Sequence, residues 1–307
     1  MSFILLGILN SQAAAVSALA GYFAGGPSSS TVDKFAFPSD TRSTLGTGLS
    51  GNRRLMANMS DPSVAGYTAG GIDFVAVTTV DKFAFPADTR TTLATGISSA
   101  RYALLGMSNW GVAGYAGGGF AGPASTVDKF AFPSDSRSTL GTGLSGSATG
   151  SVNGMSNSGV AGYRLGGTQG DETTRVDTVD KFAFPSDSRS TLASGLSASR
   201  FHVAGMSNSG TAGYAGGGFE TGNVSTVDKF AFPSDSRSTL GTGLSSARRV
   251  AKGVADYEVA GYVGGGNATG AVTTVDKFAF PSDTRSTLAT GLSAAREVGA
   301  GFENSGA

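Results

Sequence analysis

Short apolar segments separated by turn residues recur along the chain, and one of them returns almost unchanged six times. Its first copy, 31–38, has a period of two that puts Asp33, Phe35 and Phe37 on one face, as expected of a β-strand. The other copies occupy 79–86, 126–133, 178–185, 226–233 and 274–281. The aspartate of each copy follows the previous one by 48, 47, 52, 48 and 48 residues. A nearly fixed period of about 50 residues indicates one supersecondary unit repeated in series.

Each repeat predicts four short strands joined by turns. In the third repeat, which spans 101–144, the predicted strands are 101–108, 112–119, 126–132 and 137–144. Turn residues at intervals of about 8–12 residues between short strands favour an all-β fold. Six units of four strands predict a six-bladed β-propeller, because repeats that bury each other's faces form one body.

The repeats also resemble kelch repeats. The resemblance rests on an arginine before the first strand (Arg101), the Gly-Tyr-x-x-Gly-Gly second strand at 114–119, and the aromatic third strand. It implies kelch-like propeller blades and leaves the activity open, because propellers host many functions. One position departs from the family, since leucine replaces the usual tryptophan of the fourth strand. These leucines are Leu45, Leu93, Leu140, Leu192, Leu240 and Leu288.

The two ends of the chain predict how the ring closes. The last copy, 293–307, stops where a second strand would begin, whereas the first copy begins with that second strand at 18–26. We therefore expect the C-terminus to supply the inner strand of the first blade, which leaves no open sheet edge. The expected organisation is an N-terminal extension at 1–18 followed by one propeller domain at 19–307.

Composition narrows the functions that the chain can have. Lys plus Arg and Asp plus Glu number 22 each, so the basic surplus that is typical of nucleic-acid binding is missing. The chain contains no cysteine and one histidine, His202, which argues against a metal centre built on those ligands. We also expect no bound cofactor. No apolar run approaches the roughly 18–20 residues of a membrane span.

Differences among the copies indicate a candidate binding face. Two connections differ in sequence from copy to copy: the linker before the first strand and the loop between the second and third strands. In a four-stranded meander both connections emerge on the same face. Variable loops on a uniform scaffold commonly bind partners. The candidate binding residues there are Arg53, Arg101, Tyr102, Arg200, Phe201, His202, Arg248, Arg249 and Arg296. Five of the arginines would surround the channel mouth and bind a carboxylate or sulfate of a glycan. Alternatively, each of them pairs with an aspartate of a neighbouring blade.

Other polar and aromatic positions carry weaker expectations. Asp33 and Arg42 recur in every copy, so we expect blade-to-blade salt bridges or turn caps from them. A longer loop in the fourth repeat either offers oxygen ligands to calcium or is simply solvated; its acidic residues are Asp171, Glu172, Asp177 and Asp180. Trp110 replaces a serine of other copies and is either a sugar-stacking platform or an isolated exposed aromatic. His202 is expected to be a packed channel residue.

The N-terminal extension is predicted to be an anchor. Its apolar residues are Phe3, Ile4, Leu5, Leu6, Ile8 and Leu9. A secretory signal is the less favoured alternative, because no Lys or Arg precedes Lys34. The segment 1–12 resembles the openings of some tailed-phage structural proteins. That resemblance implies a virion component on the tail or head surface, with other virion subunits as partners through 1–18 and a host-surface glycan or protein as the target.

Two further functions stay open from the sequence. The first is a cytoplasmic bacterial kelch-type adaptor that binds proteins. The second is a glycan-processing enzyme similar to six-bladed sialidases, which use an arginine triad, a Tyr–Glu pair and an acidic catalyst. Tyr257 and Glu258 are adjacent, but the repeat places them near turns of the opposite face from the arginines. We therefore expect a protein without catalytic activity.

Overall fold

The computed structural model of the chain describes residues 19–120, 125–146, 148–150, 153–169 and 173–306. Throughout these ranges the regular elements are β-strands, arranged as six antiparallel sheets around a central channel. The predicted all-β, six-bladed propeller is therefore confirmed. No helix in the described ranges is long and apolar enough to cross a membrane. The proposed anchor at 1–18 lies outside the described residues.

From the channel outward, each blade contains four main strands. Blade 1 contains β25 (Ala300–Glu303), β1 (Ala20–Gly26), β2 (Ser29–Ala36) and β3 (Thr41–Thr44), and blade 2 contains β4 (Ala57–Asp61), β5 (Ala65–Ala69), β6 (Val80–Ala84) and β7 (Thr89–Thr92). Blade 3 contains β8 (Leu105–Asn109), β9 (Ala113–Gly117), β10 (Val127–Ala131) and β11 (Ser136–Thr139). Blade 4 contains β13 (Gly154–Asn157), β14 (Ala161–Gln169), β15 (Thr174–Ala183) and β16 (Ser188–Thr191), with the short β12 (Ala148–Thr149) also paired to β14. Blade 5 contains β17 (Ala204–Asn208), β18 (Ala212–Gly216), β19 (Val227–Ala231) and β20 (Ser236–Thr239), and blade 6 contains β21 (Lys252–Asp256), β22 (Ala260–Gly264), β23 (Val275–Ala279) and β24 (Thr284–Thr287).

The C-terminal strand closes the ring, as the sequence predicted. Strand β25 pairs antiparallel with β1, with Tyr22 opposite Phe302. The Phe302 ring is fully buried. It stacks on Tyr22 at 4.9 Å and on Phe83 of blade 2 at 5.3 Å between ring centroids. The last strand thus completes blade 1 and packs against blade 2 as well.

The strands are shorter than the alternation alone predicted. In blade 3 the inner strand begins at Leu105 rather than at 101, because Ala103 takes a left-handed φ of 56° that interrupts the extended backbone. The outer strand ends at Thr139 rather than at 144. Beyond it the chain returns towards the channel, and the Leu144 N–H donates to the Ser125 carbonyl.

Neighbouring blades share one repeated interface. The second-strand tyrosine of a blade stacks on the phenylalanine that follows the third strand of the next blade, as Tyr115 does on Phe184 with ring centres 5.3 Å apart. The Tyr115 hydroxyl and Lys129 of the same blade both bind Asp187 of the next blade, at 2.9 and 2.6 Å. The equivalent aspartates of the other blades are Asp40, Asp88, Asp135, Asp235 and Asp283. Blade-to-blade salt bridges therefore come from these turn aspartates, and Asp33 serves a different contact.

Candidate functional site

The five arginines predicted to surround the channel mouth are buried, with at most 5% of each residue exposed. Each forms an ion pair with the aspartate on the third strand of the blade into which its linker leads. The pairs are Arg53–Asp81, Arg101–Asp128, Arg200–Asp228, Arg248–Asp276 and Arg296–Asp33. Their positions match the ion-pair alternative, except that the partner belongs to the same blade rather than to a neighbouring one. The guanidinium groups face blade interiors instead of a ligand.

Each of these aspartates has several donors, as Asp33 illustrates. Its carboxylate accepts the Ser293 N–H at 2.8 Å, the Thr44 hydroxyl at 2.7 Å and Arg296 at 2.7 Å. Burial by itself raises the pKa of this carboxyl, but the hydrogen bonds and the charge of Arg296 outweigh burial and hold the pKa below its usual value. The carboxylate stays ionised and ties the linker to the blade.

Blade 4 forms an equivalent ion pair with an arginine from another position of the repeat. Thr149 stands where the other linkers carry arginine, whereas Arg164 in β14 lies directly opposite Asp180. Their side chains approach to 3.4 Å and are both fully buried. One arginine per blade is therefore kept although its place in the repeat changes. This compensation supports a structural role for all six pairs.

The linkers and the second-to-third-strand loops meet on one face, which we call the variable face. Bridges such as Tyr102–Phe120 and Phe201–Phe219 join each linker to a loop. Four equivalent residues of this face take left-handed φ values of 53–57° and turn the linkers towards the channel. They are Leu55, Ala103, His202 and Val250. Together they close the channel at the variable face.

A lysine spans the channel immediately behind this closure. Lys252 is fully buried in β21, and its Nζ donates to the Met56 carbonyl at 3.2 Å and to Asn153 Oδ1 at 3.0 Å. Burial places the pKa of Lys252 well below its usual value. Since these acceptors belong to blades 2 and 4 and the lysine to blade 6, the side chain crosses the axis of the ring.

His202 is packed beside that lysine and stays uncharged. Burial is the largest cause that lowers its pKa to about 3, followed by the nearby charges of Arg249, Lys252 and Arg54. Its Nδ1 is buried and accepts no hydrogen bond from the described residues. The histidine is therefore neutral over the ordinary pH range.

Two other arginines of the variable face gather around aromatic rings. The guanidinium carbons of Arg175 and Arg249 lie 5.2 and 4.9 Å from the centre of the Phe219 ring. The Arg175 group also lies 5.7 Å from the Phe201 ring. Among the described residues, neither guanidinium forms an ion pair. We call Arg175, Phe201, Phe219 and Arg249 the arginine–aromatic cluster; the sequence identified Phe201 and Arg249 and missed the other two.

The remaining candidates of the variable face form smaller contacts. Tyr102 packs against Phe120 with ring centres 5.2 Å apart. Arg54 pairs with Glu297 at 2.8 Å. At the tip of the blade 2 loop, Phe74 is 90% exposed, more than any other large apolar side chain described. This face therefore combines cationic, aromatic and exposed apolar groups.

The acidic loop does not assemble a cation site from its described residues. Asp171 and Glu172 lie outside the described residues. Asp177 is exposed, and Asp180 is buried against Arg164. Among the described residues there is no group of three or more acidic or histidine side chains arranged to hold a metal ion.

A cavity of about 50 Å³ lies in the channel and opens at the opposite face, which we call the turn face. Inner strands of all six blades line it. Successive blades are linked there by serines, since the Ser60 N–H donates to Ser108 Oγ at 2.8 Å and the Ser108 N–H to Ser156 Oγ at 2.9 Å. The same link joins Ser156 to Ser207 at 2.8 Å. The ring of serines is interrupted by Ala255 and Glu303.

Glu303 occupies the serine position of blade 1 at this cavity. Burial raises its pKa to about 7, although hydrogen bonds from the Ser60 hydroxyl and the Ala255 N–H oppose the rise. No cation is among the groups that shift it. Trp110 and Tyr257, from blades on opposite sides of the ring, meet edge to face over the mouth with ring centres 5.8 Å apart. Sequence comparison marked Trp110 but gave no reason to place it beside Tyr257.

Comparison with known proteins supports the fold of this chain and does not assign it to a family. No family model matches the chain, and no curated protein matches it. Among solved structures, that of YjhT superposes with a TM-score of 0.69 at 13% sequence identity, covering 89% of this chain and 98% of that chain. Both the geometry and this likeness define a six-bladed β-propeller with four-stranded antiparallel blades. At such low identity the likeness concerns the fold alone.

Proposed function

We propose that this protein is a non-enzymatic recognition and assembly subunit, a kelch-like propeller on the tail or head surface of a phage virion. In this proposal residues 1–18 anchor it to other virion subunits, and the variable face binds an anionic group of a host-surface glycan or protein. The observation that carries the binding role is the arginine–aromatic cluster. The guanidinium groups of Arg175 and Arg249 have no acidic partner among the described residues, and such groups are suited to bidentate binding of carboxylate or sulfate.

The position of the first described residue supports the proposed orientation. Leu19 lies on the turn face, where its carbonyl accepts the Phe37 N–H as Val112 does for Phe132 in blade 3. The first described residue therefore lies on the face opposite the arginine–aromatic cluster. Exposed apolar side chains surround the turn face at equivalent positions of five blades; they are Leu19, Val64, Val112, Val160 and Val259. A subunit attached by this face would present the variable face outwards.

Replacing Arg175 and Arg249 together by alanine is expected to weaken binding to an anionic polysaccharide at least tenfold. The reason is that each charge-assisted hydrogen bond contributes roughly 1.5–3 kcal/mol. Binding to immobilised alginate, a carboxylated polymer, would be measured by surface plasmon resonance, with uncharged dextran for comparison. The matched control removes Arg137 and Arg237, whose side chains are 28% and 31% exposed on outer strands, and should bind alginate like the unaltered protein. Equal binding to dextran and alginate, or full binding by the double variant, contradicts the anion site.

Deleting residues 1–18 is expected to leave the melting temperature of the propeller unchanged but to remove the protein from assembled particles. The expected result follows because the six blades and their closure lie within the described residues from Leu19 onwards. Incorporation would be measured by quantitative immunoblotting of purified particles after complementation. The Arg175→Ala, Arg249→Ala protein is the control, since it should assemble normally. Normal incorporation of the truncated chain would argue against the anchor.

A kelch-type protein-interaction adaptor is the second candidate, favoured by the exposed Phe74. An apolar tip of this kind is suited to bind a protein partner without any virion. The deletion above separates the two functions, because a free adaptor would keep its binding partner after loss of 1–18.

A further inference from the structure

The six copies provide an internal comparison for the cavity at the turn face. Asn58 lines the cavity at a position where the five other blades carry glycine. Glycine is favoured there because neighbouring inner strands lie very close together: a Cβ at Gly106 would lie 1.8 Å from the Asn58 carbonyl oxygen. Glu303 stands where four blades carry serine, and Trp110 and Tyr257 stand where three blades carry serine. The structure brings all four departures together at one cavity. Departures from a repeat that converge in space indicate a specific local role.

Two side chains of this cavity carry acceptor oxygens with room for further hydrogen-bond donors. Asn58 Oδ1 is buried and has no partner among the described residues. The Glu303 carboxylate has the Ser60 hydroxyl and the Ala255 N–H as nearby donors, and it has room for others because a carboxylate offers about four acceptor positions. An occupant that satisfies these oxygens must therefore supply N–H or O–H donors.

Charge and aromatic rings favour a cationic donor over a neutral one. Glu303 has no cationic partner among the described residues, and Asp61 and Asp256 end two of the inner strands nearby. Both aspartates accept hydrogen bonds from neighbouring blades, from the Gly111 N–H and the Ser305 hydroxyl. The mouth is covered by Trp110 and Tyr257, whose ring faces attract cations. The nearest lysine of the channel wall, Lys252, is bound to Met56 and Asn153 at the other end.

We infer that this cavity binds a protonated primary amine, with Asn58 and Glu303 accepting its N–H groups and Trp110 and Tyr257 enclosing its alkyl stem. The space of about 50 Å³ admits an ammonium group with one or two methylenes, since a single water needs roughly 10–15 Å³. Either a free alkylamine or the lysine side chain of a protein docked on the turn face supplies this chemistry. The site is independent of the anion-binding cluster on the variable face.

The protein contains one tryptophan, so its fluorescence reports directly on the mouth of this cavity. Titration with n-butylamine hydrochloride at pH 8 is expected to change the Trp110 emission saturably, whereas butan-1-ol of the same shape should not. Butylamine binding should weaken as the pH falls through 7, because protonation removes the charge of Glu303. The other titratable groups at this end of the channel are Asp61, Asp256, Tyr257 and Glu258. Tighter binding of Nα-acetyl-lysine methylamide than of butylamine assigns the amine to a protein lysine, and the reverse order assigns it to a free amine.

Glu303→Gln is expected to weaken butylamine binding at least tenfold, and Glu303→Ser, which restores the residue of four other blades, provides a second variant if the first folds poorly. Glu297→Gln is the matched control, since Glu297 lies on the variable face paired with Arg54. It should bind butylamine like the unaltered protein. Equal responses to butylamine and butanol, or unchanged affinity in both Glu303 variants, would overturn the inference.

Discussion

Truncating the chain after Gly299 is expected to abolish cooperative folding of the propeller. The truncation removes β25, so β1 becomes an unpaired edge in the middle of the ring. It also removes Phe302, which is fully buried between blades 1 and 2. Replacing a buried phenylalanine by alanine alone costs about 3–5 kcal/mol, a large share of a typical stability of about 5–15 kcal/mol. Thermal melting followed by circular dichroism, together with size-exclusion chromatography, would show the loss and the accompanying aggregation.

Two matched variants distinguish the effect of losing the closing strand from the effect of losing buried side-chain packing. Truncation after Ser305 keeps β25 and the Arg296–Asp33 ion pair, and it should melt close to the complete chain. Phe302→Ala is expected to lower the melting temperature by roughly 5–8 °C at this chain length while the ring still forms. Near-normal melting of the chain truncated after Gly299 would show that the terminal strand is dispensable.

The sequence predicted this closure because comparing the copies shows which strand each end of the chain lacks. A copy that ends without a second strand and another that begins with one require each other once the units form a ring. The same regularity made the strand number and order predictable. Strand ends were less predictable, since a left-handed residue such as Ala103 interrupts an extended pattern without any glycine or proline to mark it.

The roles of the charged residues were harder to predict, although the sequence of blade 4 contains one indication of them. The linker arginines and third-strand aspartates recur together, so sequence alone allowed either a ligand or an ion pair. Blade 4 distinguishes these alternatives, because Thr149 replaces the linker arginine while Arg164 appears opposite Asp180. Such internal compensation is expected for an ion pair and has no reason to occur in a ring of ligand-binding arginines.

The two candidate binding sites depend on geometry that no repeat encodes. Arg175 enters the arginine–aromatic cluster only because the extended hairpin of blade 4 reaches Phe219 in blade 5. Trp110 and Tyr257 differ visibly from the serine of other copies, but only the ring places them edge to face across its axis. Positions that are distant in sequence become neighbours only when six blades converge on one channel.

Moving the arginine of blade 4 into blade 3 tests whether the buried ion pairs stabilise each blade together with the linker that leads into it. Arg101→Thr is expected to destabilise the protein by about 3 kcal/mol, the low end of the range for a broken buried ion pair, because it removes the buried cation of Asp128 and leaves only the partly exposed Arg137, 3.5 Å away. Ala116 lies opposite Asp128 in the same register as Arg164 opposite Asp180. Adding Ala116→Arg to Arg101→Thr should therefore recover more than half of the loss in free energy of unfolding, measured by urea titration.

The single substitution Ala116→Arg is the control for that recovery. Without removal of Arg101 it places a second fully buried guanidinium beside the Asp128 carboxylate, so it should destabilise the protein by itself. Recovery in the double variant combined with loss in both single variants is the pattern expected of two arginines that serve one aspartate interchangeably. If the double variant is no more stable than the weaker of the two single variants, then the arginine of blade 4 has a role peculiar to that blade. The ion pair would then no longer explain why an arginine recurs in every repeat.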